Sequence, residues 1–221
     1  MKKKIVIYGK GDFAKLMYHY FKTDSKYNVV AFCVDKPFKN SDTYCKLPLI
    51  SCEDMYKKYP NKNYQSFVAV GYSNMRIRKI MFDKIKDMGY TCVNYISSKA
   101  NVDKSLLLGE NNVILQGSTI EPFVKINNNN IIWSSVTISH DVKIKSHSFF
   151  ASQSLVGGFS IIKNNCFIAF KSTIINNIIL DKETLLGSCS LQLTNTKKYT
   201  QYFGSPTKAI STHKKYGIRL S

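Results

Sequence analysis

From Ile96 onward the apolar residues of the chain recur at every sixth position. Ile96, Val102, Leu108, Ile114, Ile120, Ile126, Ile132, Ile138, Ile144, Phe150, Val156, Ile162, Ile168, Ile174, Leu180 and Leu186 are sixteen successive positions in this register, all large and apolar. Between residues 96 and 191 there are 30 Ile, Leu or Val, and 15 of them share the register, three times an even spread over six phases. Four residues after the anchors the side chain is often small or β-branched, as at Ser118, Val136, Val142, Ser148, Ser154, Ser160, Cys166, Ser172, Thr184 and Ser190. A period of six suits neither an α-helix, at about 3.6 residues per turn, nor a flat strand, which alternates. It predicts a triangular parallel β-helix, in which each hexapeptide supplies a short strand and a turn and three hexapeptides close one coil. Each anchor then points into the prism and stacks on its counterpart one coil away, at the strand spacing of ~4.8 Å. The register is unbroken to Leu186, so no loop interrupts a stack of about five coils.

Residues 4–95 follow another grammar. Lys4 to Tyr8 reads as a buried strand, Asp12 to Phe21 as a helix, and Val29 to Val34 as a second strand ending at Asp35. Phe67 to Gly71 reads as a third strand, followed by a basic helix from about Ser73 to Met88 and a fourth strand near Cys92. This alternation belongs to a parallel sheet covered by helices. The expected architecture is an α/β N-terminal domain (1–95) with a small Rossmann-like parallel sheet, then a β-helix of hexapeptide repeats (96–190). A C-terminal tail (191–221) should cap the β-helix or lie along a neighbour.

The 221 residues are 44% hydrophobic, which excludes a disordered chain, and no apolar run approaches the roughly 18 residues of a membrane span. A net charge of +18 invites a nucleic-acid partner. The composition argues against one, because only Arg76, Arg78 and Arg219 are arginines and base recognition favours Arg. Six cysteines (Cys33, Cys45, Cys52, Cys92, Cys166, Cys189) show no CxxC or metal-finger spacing, so buried free thiols in a reducing cytoplasm are expected. The start, Met1 to Lys4 before a short apolar stretch, is too brief for a secretion signal.

Candidate chemistry concentrates at two places. His140, one of four histidines, falls two residues after an anchor, where its side chain points out of the prism, and Asp141 adjoins it. An imidazole oriented by a carboxylate can take a proton from an attacking amine or hydroxyl, for roughly 10²–10⁴ in rate; otherwise it is a surface histidine at a turn. One coil above His140 lies Gly158, preceded by Gly157. Its N–H, uncovered by a side chain, is either an oxyanion donor or part of an ordinary glycine turn. In the N-terminal domain, Gly9 and Gly11 let the backbone approach a pyrophosphate, with the helix amides from Asp12 onward adding their dipole.

A glycine-rich β/α domain, a hexapeptide β-helix and a Gly204-Ser205-Pro206-Thr207-Lys208 tail together resemble the sugar O-acyltransferases of the sialic-acid O-acetyltransferase type. That family includes the N-acetyltransferases of nucleotide-linked amino sugars. Gly9-Lys10-Gly11-Asp12-Phe13-Ala14 looks like its opening glycine loop, Val70-Gly71 with Arg76 like a later strand and helix, and Ile138-Ser139-His140-Asp141 like its catalytic motif. The resemblance implies a homotrimer of left-handed β-helices, acetyl-CoA in the groove between subunits, no metal, and an acceptor held on the N-terminal domain. It implies His140, Asp141 and Gly158 as catalytic residues and Gly157, Gly158, Phe170, Ser188 and Lys208 at CoA. Gly9, Gly11, Asp12, Phe13, Asp35, Lys36, Gly71, Arg76 and Trp133 would contact the nucleotide sugar; Asp35 could equally just end a strand.

The chain departs from the family at two points. Trp133-Ser134 stands where many members carry Asn-Thr, and Phe149 where many carry a second histidine. Trp133 could stack on a sugar or fill a subunit interface.

The implied reaction is acetyl transfer from acetyl-CoA to the amino group of a nucleotide-linked sugar for surface polysaccharide such as O-antigen, with direct attack on the thioester. The alternatives are O-acetylation or another acyl group, a β-helical carbonic anhydrase, which would need three histidines at a metal, or a basic binding module without catalysis. By region the net charge is +10 over 1–95, +2 over 96–190 and +6 over 191–221. The excess therefore lies outside the repeat, on the segments expected to meet small polyanions.

Overall fold

The computed structural model describes residues 2–220, which form two compact units. One comprises the chain up to Gly71 together with Ile77–Tyr95; the other comprises Tyr72–Arg76 together with the chain from Ile96 on.

The first unit is a five-stranded sheet flanked by helices. Its elements are β1 (Lys3–Tyr8), α1 (Asp12–Thr23), β2 (Tyr27–Val34), β3 (Thr43–Tyr44), β4 (Leu47–Ser51), α2 (Cys52–Lys58), β5 (Gln65–Val68) and all of α3 (Met75–Asp87) except its first two residues, which belong to the second unit. The order is β3-β4-β2-β1-β5, parallel except for the β3–β4 hairpin. α1 buries Ala14, Met17 and Phe21, one stripe at helical spacing. β4 and α2 were not legible in the hydrophobic pattern, and the segment near Cys92 makes only an isolated bridge to Ser66.

The second unit is a left-handed parallel β-helix. Two-residue strands stack into three sheets, and each strand pairs in parallel with the one 18 residues away, as Ile120 does with Ile138 and Ile138 with Val156. The anchors from Ile114 to Leu186 are at most 1% exposed and form one continuous core. The small residues four positions later are buried too, Ser118, Ser148, Ser160 and Ser172 at 0%. Ile96 differs from the expectation: it is 41% exposed, since the first coil has none beneath it.

One turn position three residues after each anchor adopts positive φ, from Asn111 (58°) through Asp141 (60°) and Phe159 (61°) to Cys189 (56°). That conformation costs L-residues roughly 1–2 kcal/mol each, and ladders between coils help offset it. On one corner the Asn111 amide donates to Asn129 Oδ1 at 2.9 Å and the Asn129 amide donates to His147 Nδ1 at 3.0 Å.

The register also runs one rung beyond the sequence reading. Leu191–Gln192 is a further strand with Gln192 at the anchor position, 0% exposed. Its Oε1 accepts from the Thr207 hydroxyl at 2.8 Å and its Nε2 donates to the Thr194 carbonyl at 2.7 Å, which lets a polar side chain occupy an apolar slot. The chain then forms a hairpin, Thr200–Phe203 with Lys208–Thr212, added to the sheet that carries Leu186.

Candidate active site

The turn Ser139-His140-Asp141 projects from one corner of the prism and is pinned from the coils on either side. The His140 N–H donates to Glu121 Oε2 at 2.8 Å and the Asp141 N–H to the Pro122 carbonyl at 3.1 Å. The His140 carbonyl accepts from the Phe159 N–H at 3.1 Å. The imidazole itself stays accessible, with its side chain 46% exposed.

Asp141 Oδ2 lies 3.1 Å from His140 Nδ1. A carboxylate there accepts the Nδ1 proton, so the neutral ring is assigned a free lone pair on Nε2. Gly158 packs against that edge: a Cβ on it would stand 2.9 Å from both His140 Cε1 and Nε2. Any larger residue there would displace the ring. Among the described residues the Gly158 N–H meets no acceptor, although the N–H groups on either side of it do. Phe159 presents its ring edge-on to His140, with centroids 5.0 Å apart.

Glu121 and Phe159 were missed by the sequence reading, yet coil arithmetic would have found them, since Phe159 sits 18 residues above Asp141 and Glu121 19 below His140.

The remaining expected residues fall elsewhere. Gly157 is buried against the coil above, where a Cβ would meet Asn176 N at 2.6 Å. Phe170, Ser188 and Trp133 lie on a second corner, with Phe170 55% exposed. Lys208 is exposed on the terminal hairpin. Phe149 packs outside the prism, stacked on Phe167 at 5.1 Å and against Tyr72 at 4.5 Å and Trp133 at 5.7 Å. Trp133 therefore belongs to an aromatic cluster. His147, 6% exposed, is locked in the asparagine ladder of a third corner.

In the first unit, Gly9 and the end of β2 adjoin, with the Gly9 N–H on the Cys33 carbonyl at 2.8 Å. Gly9 has φ +125° and a Cβ would stand 2.6 Å from the Ala69 carbonyl oxygen, so glycine is needed there by the fold itself. Gly11 and Gly71 face open space. Asp12 and Lys36 are exposed and Phe13 half-buried. Asp35 is held by Lys84 Nζ at 2.6 Å, and it helps to raise the Tyr8 phenol, whose main cause of elevation is burial.

Arg76 is engaged by the protein itself. Its Nε donates to Glu183 Oε2 at 2.9 Å, and its other two nitrogens donate to the Lys214 and Lys215 carbonyls at 2.8 and 3.1 Å. Glu183 is 3% exposed. The guanidinium neutralises a buried carboxylate and ties Tyr72–Arg76 to the rest of the β-helix unit. Among the described residues no group of three or more His, Cys, Asp or Glu is placed to hold a metal, and no helix is long and apolar enough to cross a membrane.

A glycine-loop α/β sheet joined to a β-helix with a histidine turn is a fold this chain shares with solved N-acyltransferase structures. Residues 4–85 match the family model of the PglD N-terminal domain. No curated protein matches the chain.

Among solved structures, a histidine-to-asparagine variant of perosamine N-acetyltransferase from Caulobacter crescentus, in complex with CoA and GDP-perosamine, is 20% identical with a TM-score of 0.84. The match covers 94% of this chain and 97% of that one. The acetyltransferase domain of PglB from Neisseria gonorrhoeae, in complex with acetyl coenzyme A, is 15% identical with a TM-score of 0.83, over 95% and 100% of the two chains. AntD, an N-acyltransferase from Bacillus cereus in complex with dTDP and 3-hydroxybutyryl-CoA, is 17% identical with a TM-score of 0.51, over 59% and 87%.

Proposed function

We propose that the protein transfers the acetyl group of acetyl-CoA to the amino group of a nucleotide-linked amino sugar, for surface-glycan (O-antigen type) biosynthesis in the cytoplasm. The observation that carries this reading is the His140 ring held between the Asp141 carboxylate and the Gly158 backbone. The structural neighbours support it, because they share both domains and include complexes with CoA and with GDP-perosamine.

In the proposed reaction the sugar amine attacks the thioester carbonyl directly while His140 Nε2 accepts its proton. Asp141 stabilises the imidazolium that forms. The oxyanion of the tetrahedral intermediate receives the Gly158 N–H, a donor that no protein group uses. Collapse breaks the C–S bond, and the departing thiolate takes the proton back from the imidazolium. No acyl-enzyme and no metal enter the scheme.

The loop around Gly9, Gly11, Asp12 and Phe13, with Asp35, Lys36 and Gly71, is assigned to the acceptor's nucleotide. CoA is assigned to Gly157, Gly158, Phe170, Ser188 and Lys208. These groups occupy two corners of the prism and the terminal hairpin. A homotrimer in which one corner of each chain faces a shared groove would bring them to one CoA, and covering flat β-helix faces by cyclic association is physically reasonable.

The test is a panel of nucleotide-linked amino sugars incubated with acetyl-CoA, with free thiol release as readout. Release that depends on the amine supports the reading. No release with any acceptor, or equal release with the matching hydroxyl sugar, overturns it.

A further inference from the structure

One face of the β-helix carries a charge arrangement that the fold does not explain. Its strands Leu107–Leu108, Lys125–Ile126, Lys143–Ile144, Ile161–Ile162 and Ile179–Leu180 form a single five-stranded sheet. Lys125 and Lys143 are direct parallel partners on adjacent strands, both exposed. Like charges facing each other across neighbouring strands, ~4.8 Å apart, destabilise a sheet. Among the described residues neither ammonium has an ion-pair partner. The repeat is otherwise nearly neutral, so general lysine excess does not account for the pair.

The two lysines line a cleft of about 430 Å³ with Ser105, Leu107, Phe123 and Asp141. Leu107 and Phe123 are 59% and 62% exposed, leaving an uncovered apolar floor. The Asp141 carboxylate is already engaged by His140, which places the cleft next to the proposed base.

Two uncompensated ammonium groups over an apolar floor fit a ligand with a doubly charged end and an apolar body. We propose that this cleft is a subsite for a phosphate-bearing portion of a substrate, with Lys125 and Lys143 sharing the phosphate charge. It rests on the acyltransferase reading, which supplies two such ligands: CoA and the nucleotide diphosphate of the acceptor. A phosphate monoester at neutral pH carries about −1.5 to −2 charges, and a pyrophosphate diester about −2 over its two phosphates, enough to relieve both lysines, whereas a single carboxylate relieves one.

The test is calorimetric titration of the full-length protein with CoA, and separately with UDP, GDP and dTDP, using wild type, Lys125→Gln/Lys143→Gln and Lys99→Gln as a charge control. The double variant should weaken one ligand class about tenfold, more at low salt, and leave the other class unchanged, with a melting temperature equal to or above that of wild type because the like-charge repulsion is gone. Weakened CoA assigns the subsite to the donor; weakened nucleoside diphosphate assigns it to the acceptor. Unchanged affinity for a ligand that wild type binds, or an equal loss in Lys99→Gln, overturns the subsite and leaves the acyltransferase reading intact. Failure of wild type to bind any of these ligands overturns both.

Discussion

Gly158→Ala separates the proposed chemistry from the fold. The added methyl would lie 2.9 Å from His140 Cε1 and Nε2 and 3.3 Å from the His140 carbonyl oxygen. Ordinary contacts between such atoms are about 3.5–4.0 Å, so the ring must retreat by roughly half an ångström or more. A misplacement of about 1 Å costs on the order of 10²-fold in rate, which sets the expected loss in kcat at about ten- to a hundredfold.

Stability should hardly change. The His140 side chain is 46% exposed and can swing into solvent, so the overpacking cost sits at or below the low end of about 1–3 kcal/mol. In a chain of this size about 1 kcal/mol is a shift of roughly 2–4 °C in Tm.

Gly157→Ala acts on the fold instead. Its methyl would meet Asn176 N at 2.6 Å and Ile175 C at 2.7 Å, backbone atoms that cannot swing away, so it should lose stability by about 1–3 kcal/mol. Thiol-release kinetics and thermal melts on the two variants decide the matter. If Gly158→Ala keeps its kcat within about twofold, the ring does not act where it has been placed.

Three further outcomes follow from other parts of the molecule. Arg76→Ala leaves the Glu183 carboxylate buried without its partner and should destabilise the β-helix unit by about 3 kcal/mol in denaturant titration; a raised KM for the nucleotide sugar with normal stability would contradict its role as a tie. Asp181 is held below its usual value of 3.8, because the Lys182 amide and the Lys163 ammonium outweigh the opposing effect of burial. Its contribution is present above 3.8 and lost as pH falls through the lower folded value, so acid should destabilise wild type more steeply than Asp181→Asn below that point. Iodoacetamide on the native protein should label exposed Cys189 and spare Cys166, whose thiol burial pushes up to about 12; mass spectrometry after brief labelling at neutral pH checks both.

The β-helix was legible because its period admits only one economical geometry, and fifteen aliphatics in one register left little ambiguity. The reading stopped too early at Gln192, since an amide satisfied by Thr194 and Thr207 carries no apolar signal. In the first unit β1, α1 and β2 were legible from apolar runs ending in glycine or aspartate. β4 and α2 were not, because Leu47–Ser51 contains a proline and α2 is only seven residues long.

At the candidate site, His140, Asp141 and Gly158 were reachable by adding one coil, and the structure brings them together. The ion pair of Arg76 was not legible, because sequence says nothing about which element receives a long side chain. Its partner, Glu183, lies 107 residues away, and only the folded chain reveals that pairing.

The central claim is that His140 removes a proton from an amine attacking acetyl-CoA. The most direct test is thiol release by His140→Asn, against wild type, with the acceptor that wild type uses, alongside calorimetry showing that the variant still binds CoA and that acceptor. The account predicts a fall in kcat of about 10²–10⁴-fold with binding intact. Wild-type turnover by a variant that folds and binds normally would contradict it.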